Sequence, residues 1–286
     1  MQAPQKKLLY IAIFFFIFAV LFTAWLLIGN KALTVRHFEI ADKKIPSSFD
    51  GFKIAHVSDL HNESFGKDNS RLLEKLQKQS PDIIALTGDI IDSWKTDVAV
   101  AESFIKEVVK IAPVYFVTGN HEPRIDESEE LFASMKSRGV TLLRGEKVNL
   151  EKSGESITLY GIDDPSHFTD YLFGDEGYAV SESLKKLNKG ESFSILLSHR
   201  PECFELYAEN GFDLVLTGHA HGGQFRLPFI GGLFAPGQGI LPKYDSGLYE
   251  KNSTSMIVSR GLGNSVFPLR FNNFPEIIMI TLKETV

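Results

Sequence analysis

Seven residues in this sequence combine metal-compatible side chains with short, turn-bounded spacings: Asp59, His61, Asp89, Asn120, His199, His219 and His221. Hard cations take oxygen ligands and borderline ones also take imidazole, so two Asp, one Asn and four His suit Mn²⁺, Fe or Zn²⁺ better than Ca²⁺ or Mg²⁺. Seven ligands exceed what one tetrahedral ion accepts. They suit two ions about 3.5–4 Å apart that share a carboxylate. Taken singly, each has a plainer reading. A lone His is usually hydrogen-bonded structure, and an Asp or Asn after a strand is usually a cap or turn residue. It is their joint placement that calls for a metal site.

That placement follows from the elements that deliver them. Phe52 to Val57 reads as a strand ending in Ser58-Asp59-Leu60-His61, and Ile83 to Thr87 as one ending in Gly88-Asp89. Val114 to Val117 leads into Gly119-Asn120-His121, Phe193 to Leu197 into Ser198-His199, and Asp213 to Thr217 into Gly218-His219-Ala220-His221. The short continuous apolar runs predict strands covered on both faces. Asp59 and His61 are two residues apart, as are His219 and His221, which lets each pair project from one side of its tip. Glycine before Asp89, Asn120 and His219 permits tight turns. Helices are predicted from about Ser70, over Val98 to Lys110 and Glu127 to Ser137, around Ser181 to Leu187, and briefly after Pro201. Strand, motif and helix recur three times, an α/β rhythm in which ligands gather at the carboxyl ends of strands. From Val140 to Ile162 short strands and turns open a second sheet, and Met256 to Ser259 with Glu276 to Ile280 supply closing strands. His37, His56 and His167 join no such pattern and read as structural.

The 286 residues predict one catalytic-size domain, and 43% hydrophobic content is enough for a substantial core. A formal charge of −6 speaks against nucleic acid as a partner. The single Cys203 excludes a disulfide framework and reads as packing. Leu8 to Ile28 is almost wholly apolar, and about 21 helical residues span roughly 31 Å, the hydrocarbon thickness of a bilayer. That is longer than a secretory signal's apolar region, and no good cleavage site follows, so residues 1–30 are read as an uncleaved membrane anchor. Residues 31–51 then form a linker and first strand, and 52–286 the catalytic domain. Lys6 and Lys7 precede the span while Lys31, Arg36, Lys43 and Lys44 follow it, so flanking charge does not set orientation. The domain is placed outside the cytoplasm on the usual behaviour of such anchors.

Taken together, Asp59-Leu60-His61, Gly88 to Asp92, Gly119 to Glu122, His199 and Gly218 to His221 resemble the motif series of the calcineurin-like metallophosphoesterase superfamily. The resemblance covers about residues 52–223. Ser198 to Glu202, Gly222-Gly223-Gln224, the loop from Pro228 to Gly239, Lys243 to Tyr249 and Ser259 to Gly263 resemble its YaeI/YkuE-type phosphodiesterase branch. The resemblance implies a two-layer β-sandwich flanked by helices. It also implies one ion on Asp59, His61, Asp89 and His221 and a second on Asp89, Asn120, His199 and His219, with Asp89 bridging. The activity implied is hydrolysis of a phosphoester by a water activated between the two ions. His121 would contact the leaving or phosphoryl oxygens, and Asp92, otherwise a helix cap, would orient it through a carboxylate–imidazole hydrogen bond. Arg200 and Arg260 are further candidates for substrate phosphate. Phe225, Phe229 and Phe234 either pack their loop or form an apolar lip for a lipid. The branch also suggests substrates such as the pyrophosphate of UDP-2,3-diacylglucosamine, in the lipid A pathway, beside other cell-envelope phosphoesters. A noncatalytic binding module would be expected to have lost ligands, and none is missing here. A metal-dependent scaffolding protein would need partner surfaces the sequence does not reveal.

Overall fold

A computed structural model describes residues 3–168, 176–264 and 267–285; the middle of the aromatic loop between Asp163 and Gly177 lies outside the described residues. The chain opens with one long helix, α1 (Ala3–Lys31), then β1 (Thr34–Asp42) and β2 (Lys53–Val57). Three helix–strand units follow: α2 (Ser70–Gln79) with β3 (Ile83–Thr87), α3 (Val98–Val108) with β4 (Val114–Val117), and α4 (Ser128–Ser137) with β5 (Thr141–Leu142). Next come β6 (Glu146–Lys152), β7 (Glu155–Gly161), α5 (Glu176–Lys186), β8 (Ser194–Leu197), α6 (Phe204–Glu209) and β9 (Leu214–Thr217). Two small hairpins, β10 (Arg226–Leu227) with β11 (Gly231–Gly232) and β12 (Phe234–Ala235) with β13 (Gly239–Ile240), precede β14 (Gly247–Lys251), β15 (Thr254–Val258) and β16 (Glu276–Glu284).

Two six-stranded sheets result, ordered β1-β16-β2-β3-β4-β5 and β14-β15-β9-β8-β7-β6. Side chains in a strand alternate faces, and the burial follows that period. In β3, Ile83 and Ala85 face the second sheet among Leu159, Ile195 and Leu216, while Ile84 and Leu86 face the helices among Leu72, Phe104 and Phe132. The second sheet's outer face packs Tyr160, Leu196 and Val215 under α5 and α6 residues Val180, Leu184 and Phe204. The layers are therefore helix, sheet, sheet, helix. Both faces of β3, β8 and β9 are covered, which explains why each is an unbroken apolar run.

Strand order is where the fold exceeds local pattern. The C-terminal β16 lies between β1, which it joins in parallel, and β2, which it joins antiparallel. The segment following α1 is thus a nine-residue edge strand of the body. Because Thr34 of β1 pairs with Glu276, and Ile278 pairs with His56 near the end of β2, α1 leaves the body at the same end as the strand tips that carry the candidate ligands. Among the described residues, one helix, Lys6–Lys31, is long and apolar enough to cross a membrane, and none of its apolar window is buried.

Candidate metal centre

All five strand tips converge where the carboxyl ends of the two sheets meet. Asp59, His61, Asp89, Asn120, His199, His219 and His221 are all buried. The structure groups Asp59, His61 and His221 in one cluster and Asp89, His199 and His219 in another, each with ligand-type atoms within 4.8 Å of one another. Asp89 joins them: its Oδ2 lies 3.1 Å from His199 Nε2 and 3.5 Å from His61 Nε2. His221 Nε2 stands 3.5 Å from Asp59 Oδ1, and His219 Nδ1 stands 3.1 Å from His199 Nε2.

The backbone bends sharply to achieve this. Asp59, His61, Asp89, His219 and His221 have φ of 52°, 46°, 52°, 64° and 47°. Residues with a Cβ seldom adopt left-handed backbone, at a cost of about 1–3 kcal/mol each, and such residues cluster where function requires them. Gly218 makes the close approach possible, since a Cβ there would strike Ser58 Oγ and Asp59 Oδ2. A Cβ on Gly119 would likewise strike Asp89 Oδ1.

Partners behind the ligands set their orientation. His199 Nδ1 lies 2.7 Å from the Thr87 carbonyl oxygen, which requires a proton on that nitrogen and leaves Nε2 free to ligate. Asp89 Oδ1 accepts the His121 backbone N–H at 2.8 Å, and both Asp59 oxygens face the His219 N–H, at 3.0 and 3.2 Å. Burial alone would lower the His199 pKa, but the carboxylates of Asp89 and Asp59 outweigh it and push it up to about 10, so a cation taken at Nε2 would displace a proton from it. At Asp89 burial acts upward, yet His199, His121 and His61 hold it well below the usual carboxylate range.

The donor set fits two divalent cations. Among the described residues, Asn120 Oδ1 and His61 Nε2 are buried without a hydrogen-bond partner. Orphaned buried polar atoms are costly, and here they point into a cluster of carboxylates and imidazoles that a cation would satisfy.

Three expectations change. Asp92 does not orient His121: its Oδ1 accepts the N–H groups of Trp94 and Lys95 at 2.7 and 3.0 Å, and its Oδ2 lies 3.5 Å from His61 Nδ1. The turn from Asp92 to Lys95 aims the carboxylate at His61 instead, and it is His61 that it backs. The partner of His121 is Ser93, whose backbone N–H reaches His121 Nδ1 at 2.9 Å. Accepting there places the ring proton on Nε2.

Arg200 lines the cavity but is already engaged. Its Nε and Nη2 grip Asp164 at 2.5 and 3.0 Å, and its Nη1 lies 3.2 Å from His219 Nε2. Arg260 does not line the cavity; it turns to Glu276 at 3.8 Å and Ser246 at 3.4 Å. The side chains of Arg200 and Asp164 are 4% and 0% exposed. Arg200→Ala strands a buried carboxylate, so it is expected to lower stability by about 3–5 kcal/mol in denaturant unfolding. A loss under about 1 kcal/mol, the scale of a surface pair, would contradict the buttress.

Sequence reasoning placed Glu122 in the motif but gave it no role. It is buried, and its carboxylate accepts the N–H groups of Asp89, Ile90 and Gly119 at 3.0, 2.8 and 2.7 Å, tying the β3 and β4 tips together. Burial and the charge of Asp89 raise its pKa to about 7. An acid directly after the Asn-His pair was the available signal. Missed altogether were Arg270 and Asn273, which stand behind His221; Asn273 Nδ2 donates to the His221 carbonyl at 2.7 Å.

A cavity of about 290 Å³ opens over the centre, bordered by Asp89, Asn120, His121, Arg124 and His219, with Trp94 at its edge. His56, Nε2 to Thr87 Oγ1 at 2.8 Å, and buried Cys203, its pKa pushed up by burial to about 12, lie outside it as packing residues.

Residues 52–223 match the family model of the calcineurin-like phosphoesterases. The chain is 33% identical to the uncharacterized metallophosphoesterase YkuE of Bacillus subtilis, over 86% of this chain and 84% of that one. It is 27% identical to the phosphodiesterase YaeI of Escherichia coli, over 81% of this chain and 82% of that one. The solved structure of TT1561 from Thermus thermophilus superposes with a TM-score of 0.51 at 13% identity, covering 74% of this chain and 90% of the other, a likeness of fold.

Proposed function

The chain belongs to the calcineurin-like phosphoesterase family, and from that premise we propose that it is a membrane-anchored enzyme with two metal ions that hydrolyses a phosphodiester or pyrophosphate bond. Metal-dependent phosphoric ester hydrolysis is the activity of the family, and small-molecule phosphoesters are its substrates. The observation that carries the reading is the convergence of seven buried ligand-type residues from five strand ends, four of which, Asp89, Asn120, His219 and His221, border one cavity. Asp59, His61, Asp89 and His221 would hold one ion and Asp89, Asn120, His199 and His219 the other, with Mn²⁺, Fe or Zn²⁺ suiting the donors. Such a pair supplies Lewis acidity toward phosphoryl oxygens and a water made nucleophilic near neutral pH.

The chain's own residues supply the rest. Burial lowers the His121 pKa to about 4, so the ring is neutral at pH 7. Its Nε2–H is then a fixed donor beside the cavity, placed to bond the leaving oxygen as the phosphorus–oxygen bond breaks. Asp92 backs His61 and Thr87 backs His199, which limits rotation of both rings. Helix α1 supports a membrane location, and the domain is proposed to face away from the cytoplasm. A lipid-linked phosphoester is consistent with an anchored enzyme; a cytosolic nucleotide-linked substrate such as UDP-2,3-diacylglucosamine would require the domain to face inward.

Hydrolysis of bis-p-nitrophenyl phosphate with added Mn²⁺ tests the reading. Wild type should turn over and His219→Ala should not. Metal-stimulated turnover absent from both proteins would end the assignment.

A further inference from the structure

An apolar surface runs from the anchor helix to the edge of the metal cavity. Phe229 is fully exposed, and Ile230, Ile240 and Leu241, on the same two hairpins, are 60%, 80% and 59% exposed. Beside them Phe267 and Leu269 are 45% and 40% exposed. These residues form a connected structure. Gln224 Nε2 donates to the carbonyls of both Phe267 and Leu269 at 2.9 Å, and the Phe225 ring meets that of Phe267 edge-on at 5.7 Å. Phe225 also bridges to Phe271, whose ring contacts Trp25 and Phe22 of α1 at 5.2 and 6.2 Å.

The contact with Phe22 sets a depth. The apolar run of α1 continues to Ile28, six residues beyond Phe22, or about 9 Å of helix. If the whole run lies in hydrocarbon, the Phe271 ring that packs on Phe22 and Trp25 lies below the hydrocarbon boundary, while the Arg270 backbone, bonded to Asn30 just past the end of the run, sets the 267–271 segment at that boundary. A polar surface there would be expelled, whereas this one exposes Phe267, Leu269, Phe229 and Ile230. Interfacial elements bury their apolar faces about 5–10 Å deep, which matches the offset. Trp25, three residues or about 4.5 Å of helix before the end of the run, stands just under that boundary, within reach of the interface where tryptophan is favoured.

We propose that the β10–β13 hairpins and the 267–271 segment form a second membrane contact, seated in the same bilayer surface that α1 enters. The inference rests on reading α1 as the anchor. It deepens the proposed function, because Pro236 and Gly237, in the turn of the β12–β13 hairpin that carries Ile240, border the metal cavity. One element then touches both lipid and site, and a phosphoester borne by a lipid is delivered to the metals from the leaflet.

The test uses the full chain in phosphatidylethanolamine–phosphatidylglycerol vesicles. Single cysteines at Phe229→Cys, Ile240→Cys, Phe16→Cys in the anchor, and Glu151→Cys at the opposite end of the sandwich carry an environment-sensitive fluorophore. Native Cys203 is buried and its thiol pKa is raised to about 12, so it stays unlabelled. Quenching by lipid-borne nitroxide is compared with quenching by aqueous iodide. The proposal expects the 229 and 240 labels to follow the Phe16 label, quenched from the lipid and protected from iodide, with the Glu151 label reversed. Labels at 229 and 240 that behave like 151 while Phe16 stays lipid-quenched overturn the second contact and leave the anchor intact. Protection from both quenchers would mean that a protein covers the patch, and would also overturn the membrane assignment. Iodide quenching at Phe16 would remove the anchor, and the proposal with it.

Discussion

Asp89→Asn is expected to cut turnover of bis-p-nitrophenyl phosphate by about a thousand-fold or more, equivalent to ~4 kcal/mol of transition-state stabilisation. No other ligand has this position. Asp89 Oδ2 stands 3.1 Å from His199 and 3.5 Å from His61, between the two clusters. An amide there removes the negative charge both ions would share, while its oxygen still accepts the His121 N–H that Oδ1 takes at 2.8 Å. The variant should therefore fold, hold little metal and fail chemically. Thermal unfolding beside activity separates these effects. Near-wild-type turnover by a folded Asp89→Asn would mean the carboxylate bridges nothing.

His121→Ala is expected to behave differently. His121 belongs to neither ligand set, so metal content and fold should persist while kcat falls by about 10²–10³-fold, the usual range for losing one preorganised hydrogen-bond donor. The Ser93 N–H on Nδ1 fixes the tautomer, so what is lost is a donor at Nε2. A donor to the leaving oxygen matters most when that oxygen is a poor leaving group. The loss should accordingly be larger on an alkyl phosphodiester than on bis-p-nitrophenyl phosphate, with KM little changed on either. Equal losses on both would move the contact to a phosphoryl oxygen. Loss of metal in the variant would make His121 a ligand.

What could be read in the sequence follows from how the strands are buried. The tips after β3, β4, β8 and β9 were legible because each strand is a largely apolar run that stops abruptly at a polar residue, and β2, though interrupted by His56, ends in the same way. The change of rhythm after Val140 marked the second sheet for a similar reason, since β6 and β7 alternate as a hairpin. Strand order was not legible, because nothing local to Glu276–Glu284 says that it inserts between β1 and β2. The partners of site residues were the least accessible. Asp164 lies 36 positions before Arg200, and only the fold brings that carboxylate to the guanidinium and converts an apparent phosphate ligand into a buttress for His219. Asp92 was placed at the right site but against the wrong ring, because a four-residue turn decides whether it meets His121 or His61. Arg270 illustrates the same limit. It is buried, donates to the carbonyl of Gly263 and lies 3.5 Å from His221 Nδ1, while its own N–H is held by Asn30 at the end of α1. No motif marks it.

The two-ion arrangement is tested most directly by metal content per chain, measured by elemental analysis after purification in Mn²⁺ and removal of loosely bound metal. Wild type should carry about two ions, shared across one carboxylate. His221→Ala, which disrupts only the Asp59 and His61 set, and Asn120→Ala, which disrupts only the His199 and His219 set, should each carry about one. Two ions retained in both variants, or only one in the wild type, would contradict the account.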